Sequence, residues 1–92
     1  MKDISEKELE EIEARALKAS TGPWKSYIEG RDHDSGDSFI MIGSGYNRQE
    51  DMYVSRGSGP LSSEDLDFIA HARQDVSVLV AEIKRLKSES QT

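Results

Sequence analysis

The sequence predicts a small α+β domain with an N-terminal helix, a three-stranded antiparallel β-meander and a long C-terminal helix. Two segments with helical hydrophobic periodicity stand at the two ends of the chain. Three short runs rich in β-branched and aromatic residues lie between them, separated by stretches rich in turn-forming residues. Because the helices need a partner surface to bury their apolar sides, we expect both on one face of the sheet.

The first helix is predicted over residues 5–19. Ser5 and Glu8 have the spacing of a capping box, in which the two side chains satisfy backbone N–H groups at the helix start. The helix is expected to end before Gly22 and Pro23, because proline cannot extend the hydrogen-bond ladder and glycine tolerates the backbone of a helix stop.

The three predicted strands come from the runs WKSYIEG, DSFIMIG and DMYVSR. The middle run is apolar at both odd and even positions, so both faces of its strand would be apolar. This strand, residues 38–42, is therefore expected to be the central and most buried one. Trp24 opens the first run directly after the helix stop. A tryptophan buries a large area, and we expect Trp24 to fold back onto the part of the C-terminal helix that contains Phe68 and Ile69.

The C-terminal helix is predicted to begin at a second cap, where Ser62 stands three residues before Asp65. Residues 88–92 are expected to be frayed. The helix is long for a domain of this size and apolar along one side, which favours pairing with another copy in a homo-oligomer or with a partner. The residues predicted for that interface are Val76, Val80 and Ile83.

Size and charge narrow the function classes. The 92 residues fit a single domain, 1–92, and the net charge of −6 is spread evenly along the chain. No segment is basic, which disfavours binding to nucleic-acid phosphates and to anionic membranes. The chain has no cysteine, no leader-like N-terminus and no apolar run long enough to cross a bilayer. These features predict a cytoplasmic protein with no membrane partner.

Two short elements of the sequence resemble a known family. ALKASTGPW after the first helix, together with DLDFIAHARQDVSVLVAEIKRLK at the end, resembles the ead-type family of small early-region phage and prophage proteins. The matching residues are Ala19, Thr21, Gly22, Pro23, Trp24, Asp67, Phe68, Ile69, Ala70 and Ala72. The resemblance covers about half of the chain and implies a phage or prophage setting in a host cytoplasm, without an established reaction. Relatives often carry a proline in the segment matching residues 73–77, which implies a bend that this proline-free segment leaves open near Gln74 and Asp75.

The middle of the chain holds the candidate site residues. The acid-rich loop at residues 32–37 has oxygen ligands of the kind that calcium prefers, but it lacks the remaining pattern and is interpreted as a polar turn. His33 and His71 are isolated, so no metal and no cofactor are predicted. No spacing indicates a catalytic triad or a carboxylate pair, and we do not expect an enzyme.

Three functions follow as hypotheses. The first is a small interaction protein that binds and modulates a host protein, such as a defence component. The second is a binding protein or sponge for a small signalling nucleotide, because arginine forks and aromatic rings suit an anionic ligand. Its predicted residues are Arg31, Tyr46, Arg48, Tyr53 and Arg56. The third is a structural homo-oligomer held together through residues 76–86.

Overall fold

The structure is a computed structural model that describes residues 3–90. Its elements are α1 (Glu6–Lys18), β1 (Trp24–Tyr27), β2 (Phe39–Ile42), a short 3-10 helix (Gly45–Asn47), β3 (Ser55–Arg56), β4 (Gly59–Pro60) and α2 (Ser63–Ser90). The α+β class agrees with the sequence prediction. The three-stranded meander is wrong: the strands form two separate two-stranded antiparallel sheets, β1–β2 and β3–β4.

Both predicted helix caps are confirmed. The Ser5 hydroxyl accepts from the Glu8 amide at 3.0 Å, and the Glu8 carboxylate accepts from the Ser5 amide at 3.1 Å. The Ser62 hydroxyl accepts from the Asp65 amide at 3.2 Å at the start of α2. These contacts satisfy amides that a helix leaves unpaired at its N-terminus, so the local sequence fixes where both helices begin.

The third predicted strand fails because only one of its residues reaches the main sheet. Met52 exchanges both main-chain hydrogen bonds with Ile40, at 2.8 and 2.9 Å, and pairing stops there. Gly57 adopts a positive φ of 49°, which glycine tolerates. The chain therefore turns within residues 55–60 and folds into its own hairpin instead of continuing along β2.

The core lies between the β1–β2 sheet and the N-terminal half of α2. Its buried residues are Ile28, Ile40, Ile42, Leu66 and Ala70. Trp24 and Ile69 pack against this core as expected, and the Trp24 indole N–H donates to the Ser20 carbonyl at 3.2 Å. The expected contact of Trp24 with Phe68 is wrong, because the Phe68 side chain points into solvent and is 75% exposed.

α1 packs along the C-terminal half of α2 rather than on the sheet, which corrects the expectation that both helices cover one sheet face. Lys84 of α2 donates to the Glu13 carboxylate at 2.7 Å, and Lys87 donates to the Ile4 carbonyl at 2.9 Å. The apolar stripe of α1 therefore meets the second helix before it can reach the strands.

α2 is one continuous helix through Ser90, with no interruption at Gln74. The structure continues the helix over residues 88–90, where Arg85 pairs with Glu89 at 2.7 Å one turn along the helix, and the fraying of residues 88–92 stays a prediction. Residues 91 and 92 of that prediction lie outside the described residues. Within residues 3–90, no helix combines the length and the apolar character that a bilayer crossing requires.

Candidate functional site

The outer face of the β1–β2 sheet, turned away from α2, carries a group of stacked aromatic rings. The Tyr27 and Phe39 rings stack with their centroids 5.4 Å apart, and the Tyr53 ring tilts against Phe39 at 5.8 Å. Side chains alternate along each strand, so Phe39 and its neighbour Met41 point outward while Ile40 points into the core. We call Tyr27, Phe39 and Tyr53 the aromatic face.

The aromatic face is open to solvent at Tyr53, which is 63% exposed. The His33 ring lies against Phe39 at 5.5 Å, and the Lys25 ammonium lies 5.1 Å from the Tyr27 ring centroid. Both neighbours pack against the rings, and Lys25 sits where a cation–π contact is favourable. The face is therefore a set of rings that contact one another and are partly open to solvent.

Unpaired acids flank the aromatic face. Among the described residues, the loops around it contain four carboxylates for which the structure gives no ion pair: Glu29, Asp34, Asp37 and Glu50. The nearby Arg48 is already paired with Asp51 at 2.9 Å. These loops therefore carry an excess of negative charge, and Lys25 is a positive charge beside Tyr27.

A cleft of about 620 Å³ runs along the free edge of β1. One wall is made by Asp67, His71 and Gln74, which are spaced four and three residues apart and so share one side of α2. The other wall includes Lys25 and Tyr27, so the cleft is continuous with the aromatic face. The two features form one surface on this side of the molecule.

Arg31 closes one end of the cleft as part of an ion-pair network. Its two terminal nitrogens reach both carboxylate oxygens of Asp67, at 2.9 and 3.1 Å, and its Nε donates to Asp32 at 3.0 Å. The Ser26 hydroxyl also donates to Asp67, at 2.5 Å. The guanidinium thus ties the loop after β1 to α2, in the bidentate geometry that arginine favours.

The network shifts the acidity of its members. Hydrogen bonds from Arg31, and then from Ser26, lower the pKa of Asp67 to about 2. Hydrogen bonds from Arg31, and then from the Ile28 amide, lower the pKa of Asp32, and the two carboxylates together raise the pKa of Arg31. Both carboxylates stay ionised at neutral pH, and they occupy the donors with which Arg31 could hold an anionic ligand.

The five residues predicted for a nucleotide site are placed in different environments. Arg31 lines the cleft along β1, and Tyr53 lines another cavity beside Leu66. Tyr46 is fully exposed on the 3-10 helix, and Arg56 is exposed on β3. With Arg48 engaged by an acid, the structure does not bring the five side chains to one cavity.

The residues predicted for an oligomer interface lie on the part of α2 that α1 follows. Val80 is only 5% exposed, and Val76 and Ile83 are half-buried. The exposed large apolar residues of this stretch are their neighbours Val78, Leu79 and Leu86, at 65%, 59% and 51%. The interface prediction itself stays a prediction, since one isolated chain does not test it.

The acid-rich loop forms turns rather than a cluster. Within residues 3–90, no three histidine, aspartate or glutamate side chains are grouped closely enough to hold a metal ion. His33 instead accepts from the Ser35 amide at 3.2 Å through Nδ1, and its Nε2 is buried without a hydrogen-bond partner among these residues.

Sequence reasoning missed the roles of Tyr27 and Phe39. The middle run is apolar at both odd and even positions, so nothing local indicates which of its side chains face α2. Comparisons with protein-family models, with curated proteins and with solved structures found no match for this chain.

Proposed function

We propose that this chain is a small non-enzymatic interaction protein that binds a host protein through the aromatic face. The observation that carries the proposal is the group of contacting rings, Tyr27, Phe39 and Tyr53, on the side of the sheet that is turned away from α2. Tyrosine and other aromatic residues dominate the energetics of many protein interfaces. Because neighbouring rings already hold Phe39 in place, little side-chain entropy is lost on binding.

The acids around the face select the kind of partner. A net charge of −6 and the flanking carboxylates favour a basic surface on the partner. Opposite charges accelerate association, and salt weakens this effect. Binding should therefore be strongest at low ionic strength.

The biological setting is proposed from the resemblance to small phage and prophage proteins. In that setting the partner is a protein of a bacterial host cytoplasm whose activity this chain modulates, such as a defence component. The aromatic face and the loops around it fall in the middle third of the chain, where the resemblance stops. Partner choice is expected to depend on this variable region.

Affinity capture from a bacterial lysate at low salt tests the proposal. Tyr53→Ser should reduce recovery of the captured protein at least tenfold, the range expected for an interface hot spot. Tyr46→Ser is the matched control, since Tyr46 is a fully exposed tyrosine outside the ring stack. Equal recovery with Tyr53→Ser and with the unmodified protein would exclude the aromatic face as the binding surface.

A small nucleotide in the β1 cleft is a second candidate function. The cleft places Lys25, Tyr27 and His71 on its walls, which offers a base-stacking ring and two basic groups. Native mass spectrometry of protein purified from bacteria tests it. An added mass of a few hundred daltons that disappears in Lys25→Ala would support this function, and bare protein masses would count against it.

A further inference from the structure

Among residues 3–90, no strand pairs with the outer edge of β1. The β1–β2 register pairs Ser26 with Ile40. Ile40 gives both its amide and its carbonyl to Met52 on the opposite side. Antiparallel pairs alternate between bonded and non-bonded positions, so Ser26 directs its main-chain N–H and C=O away from β2, toward the cleft.

Trp24 and Ile28, two residues before and after Ser26, also direct their main-chain groups away from β2. These groups already have hydrogen-bond partners. The Trp24 amide donates to Gln74 Oε1 at 2.8 Å, and the Trp24 carbonyl accepts from Gln74 Nε2 at 3.1 Å. The Gln74 side-chain amide thus makes the two hydrogen bonds that one residue of a neighbouring strand would make. At the other end, the Ile28 amide donates to the Asp32 carboxylate at 2.8 Å, and the Ile28 carbonyl accepts from the Arg31 and Asp32 amides.

At Ser26 no side chain of the described residues takes the place of a neighbouring strand. The residue is only 6% exposed, and among residues 3–90 its main-chain amide and carbonyl have no hydrogen-bond partner. A strand edge that presents an unpaired main-chain donor and acceptor to a cleft is a template for pairing with another extended segment. The edge at Ser26 therefore offers a pairing position for a second backbone.

We propose that an extended segment of the partner protein enters this cleft and pairs with β1 at Ser26 as an added strand. The inference rests on the proposed function and names how the partner is held. A peptide backbone fits because it repeats a donor and an acceptor every second residue, at the spacing that separates Trp24 from Ser26. Gln74 occupies the next pairing position and is displaced as the strand extends.

The two ends of the free edge of β1 define the length of that segment. Pairing can run from Trp24, once Gln74 has moved, to Ser26, and it stops where the Arg31 network closes the edge at Ile28. Side chains on one side of the added strand lie next to Tyr27 and continue the aromatic face. Side chains on the other side face His71.

Amide-resolved NMR on the full chain tests the proposal in two steps. In the free protein, the Ser26 amide should exchange with solvent much faster than those of Lys25 and Tyr27, which face β2. The probe is then a heptapeptide of alternating valine and threonine with lysine at both ends. It should shift the Ser26 amide and slow its exchange, and the same peptide with its five central amides methylated should do neither.

Two variants measure the role of Gln74. Gln74→Ala frees Trp24 for pairing and should tighten peptide binding about tenfold, the amount that one or two net hydrogen bonds contribute. Gln49→Ala removes an exposed glutamine side chain away from the cleft and should change nothing. The free-protein exchange rate of Ser26 remains a valid test even if Gln74→Ala unfolds.

Protection of the Ser26 amide in the free protein would overturn the proposal, as would equal shifts with the methylated peptide or no shift at Ser26 at millimolar peptide. If the edge fails these tests while Tyr53→Ser still abolishes host-protein capture, the proposed function stands and only the added strand is excluded. If the edge binds the peptide while Tyr53→Ser captures normally, the aromatic face is excluded instead.

Discussion

The inner face of the β1–β2 sheet presents Ser26, Ile40 and Ile42 to α2, and these residues are 6%, 0% and 3% exposed. The outer face presents Tyr27 and Phe39, which keep part of their surface in solvent although they alternate with the inner residues in the same strands. The inner side chains are packed against α2, whereas the outer rings contact one another, His33 and Lys25. The comparison indicates that the inner face contributes more to the stability of the fold than the outer face does.

Removing a buried side chain from the inner face should have the largest effect on stability. Ile40→Ala is expected to lower the free energy of unfolding by about 4 kcal/mol, from lost burial plus the cavity left behind. Met41→Ala, one residue along on the outer face, should cost less than half as much. Urea unfolding of both variants measures the difference, and equal losses would contradict the distinction between the two faces.

The same contrast should extend to α2, where buried and exposed apolar residues are neighbours. Val80→Glu places a charge at a position that is 5% exposed and should destabilise the chain by about 3 kcal/mol. Leu79→Glu, at a position that is 59% exposed, should leave thermal unfolding nearly unchanged.

The mass of each variant in solution distinguishes a loss of stability from a loss of oligomer assembly. If copies associate through the exposed side of α2, Leu79→Glu lowers the oligomer mass while the chain stays folded. If Val80→Glu lowers the mass without lowering thermal stability, then Val80 faces another copy and the burial of this residue by α1 is contradicted.

Because of the Arg31 network, the free energy of unfolding should fall at acidic pH. Asp67 ordinarily titrates with a pKa of 3.8, and the folded protein lowers this pKa to about 2. A lowered carboxylate pKa stabilises the fold above the ordinary value, and this contribution is lost as pH falls from about 4 to about 2. Chemical unfolding across this range should show the loss in the unmodified protein and a smaller loss in Arg31→Ala.

Arg48→Ala is the matched control for the acid prediction, because Arg48 pairs with Asp51 outside the network. It should keep the full dependence on pH. A pH dependence that Arg31→Ala leaves unchanged would mean that the acid sensitivity arises elsewhere.

The smallest stability effect is expected on the outer face itself. Tyr53→Ser removes one tilted ring contact from an exposed residue and should change the free energy of unfolding by less than about 1 kcal/mol. Thermal unfolding measures it. A large loss would mean that Tyr53 belongs to the core rather than to a binding surface.

The helices and the first two strands could be predicted because their signals are local. The spacing of Ser5 and Glu8, and of Ser62 and Asp65, fixes the helix starts within a few residues of sequence. The third strand could not be assigned in this way. Its β-prone composition says nothing about whether the chain stays beside β2 after Met52.

The candidate site depended almost entirely on contacts between distant parts of the chain. Arg31 meets Asp67 across 36 positions, and Gln74 meets Trp24 across 50. No spacing rule links such residues. The sequence therefore favours a ligand-binding role for Arg31, although the folded chain engages this side chain in an internal ion pair.

Photo-crosslinking from position 53 tests the central claim most directly. A benzoyl-phenylalanine placed at Tyr53 and irradiated in a bacterial host should form a discrete adduct with a host protein, and the same group at Tyr46 should not. An adduct from position 53 alone would support binding through the aromatic face. No adduct from position 53, or the same adduct from both positions, would contradict it.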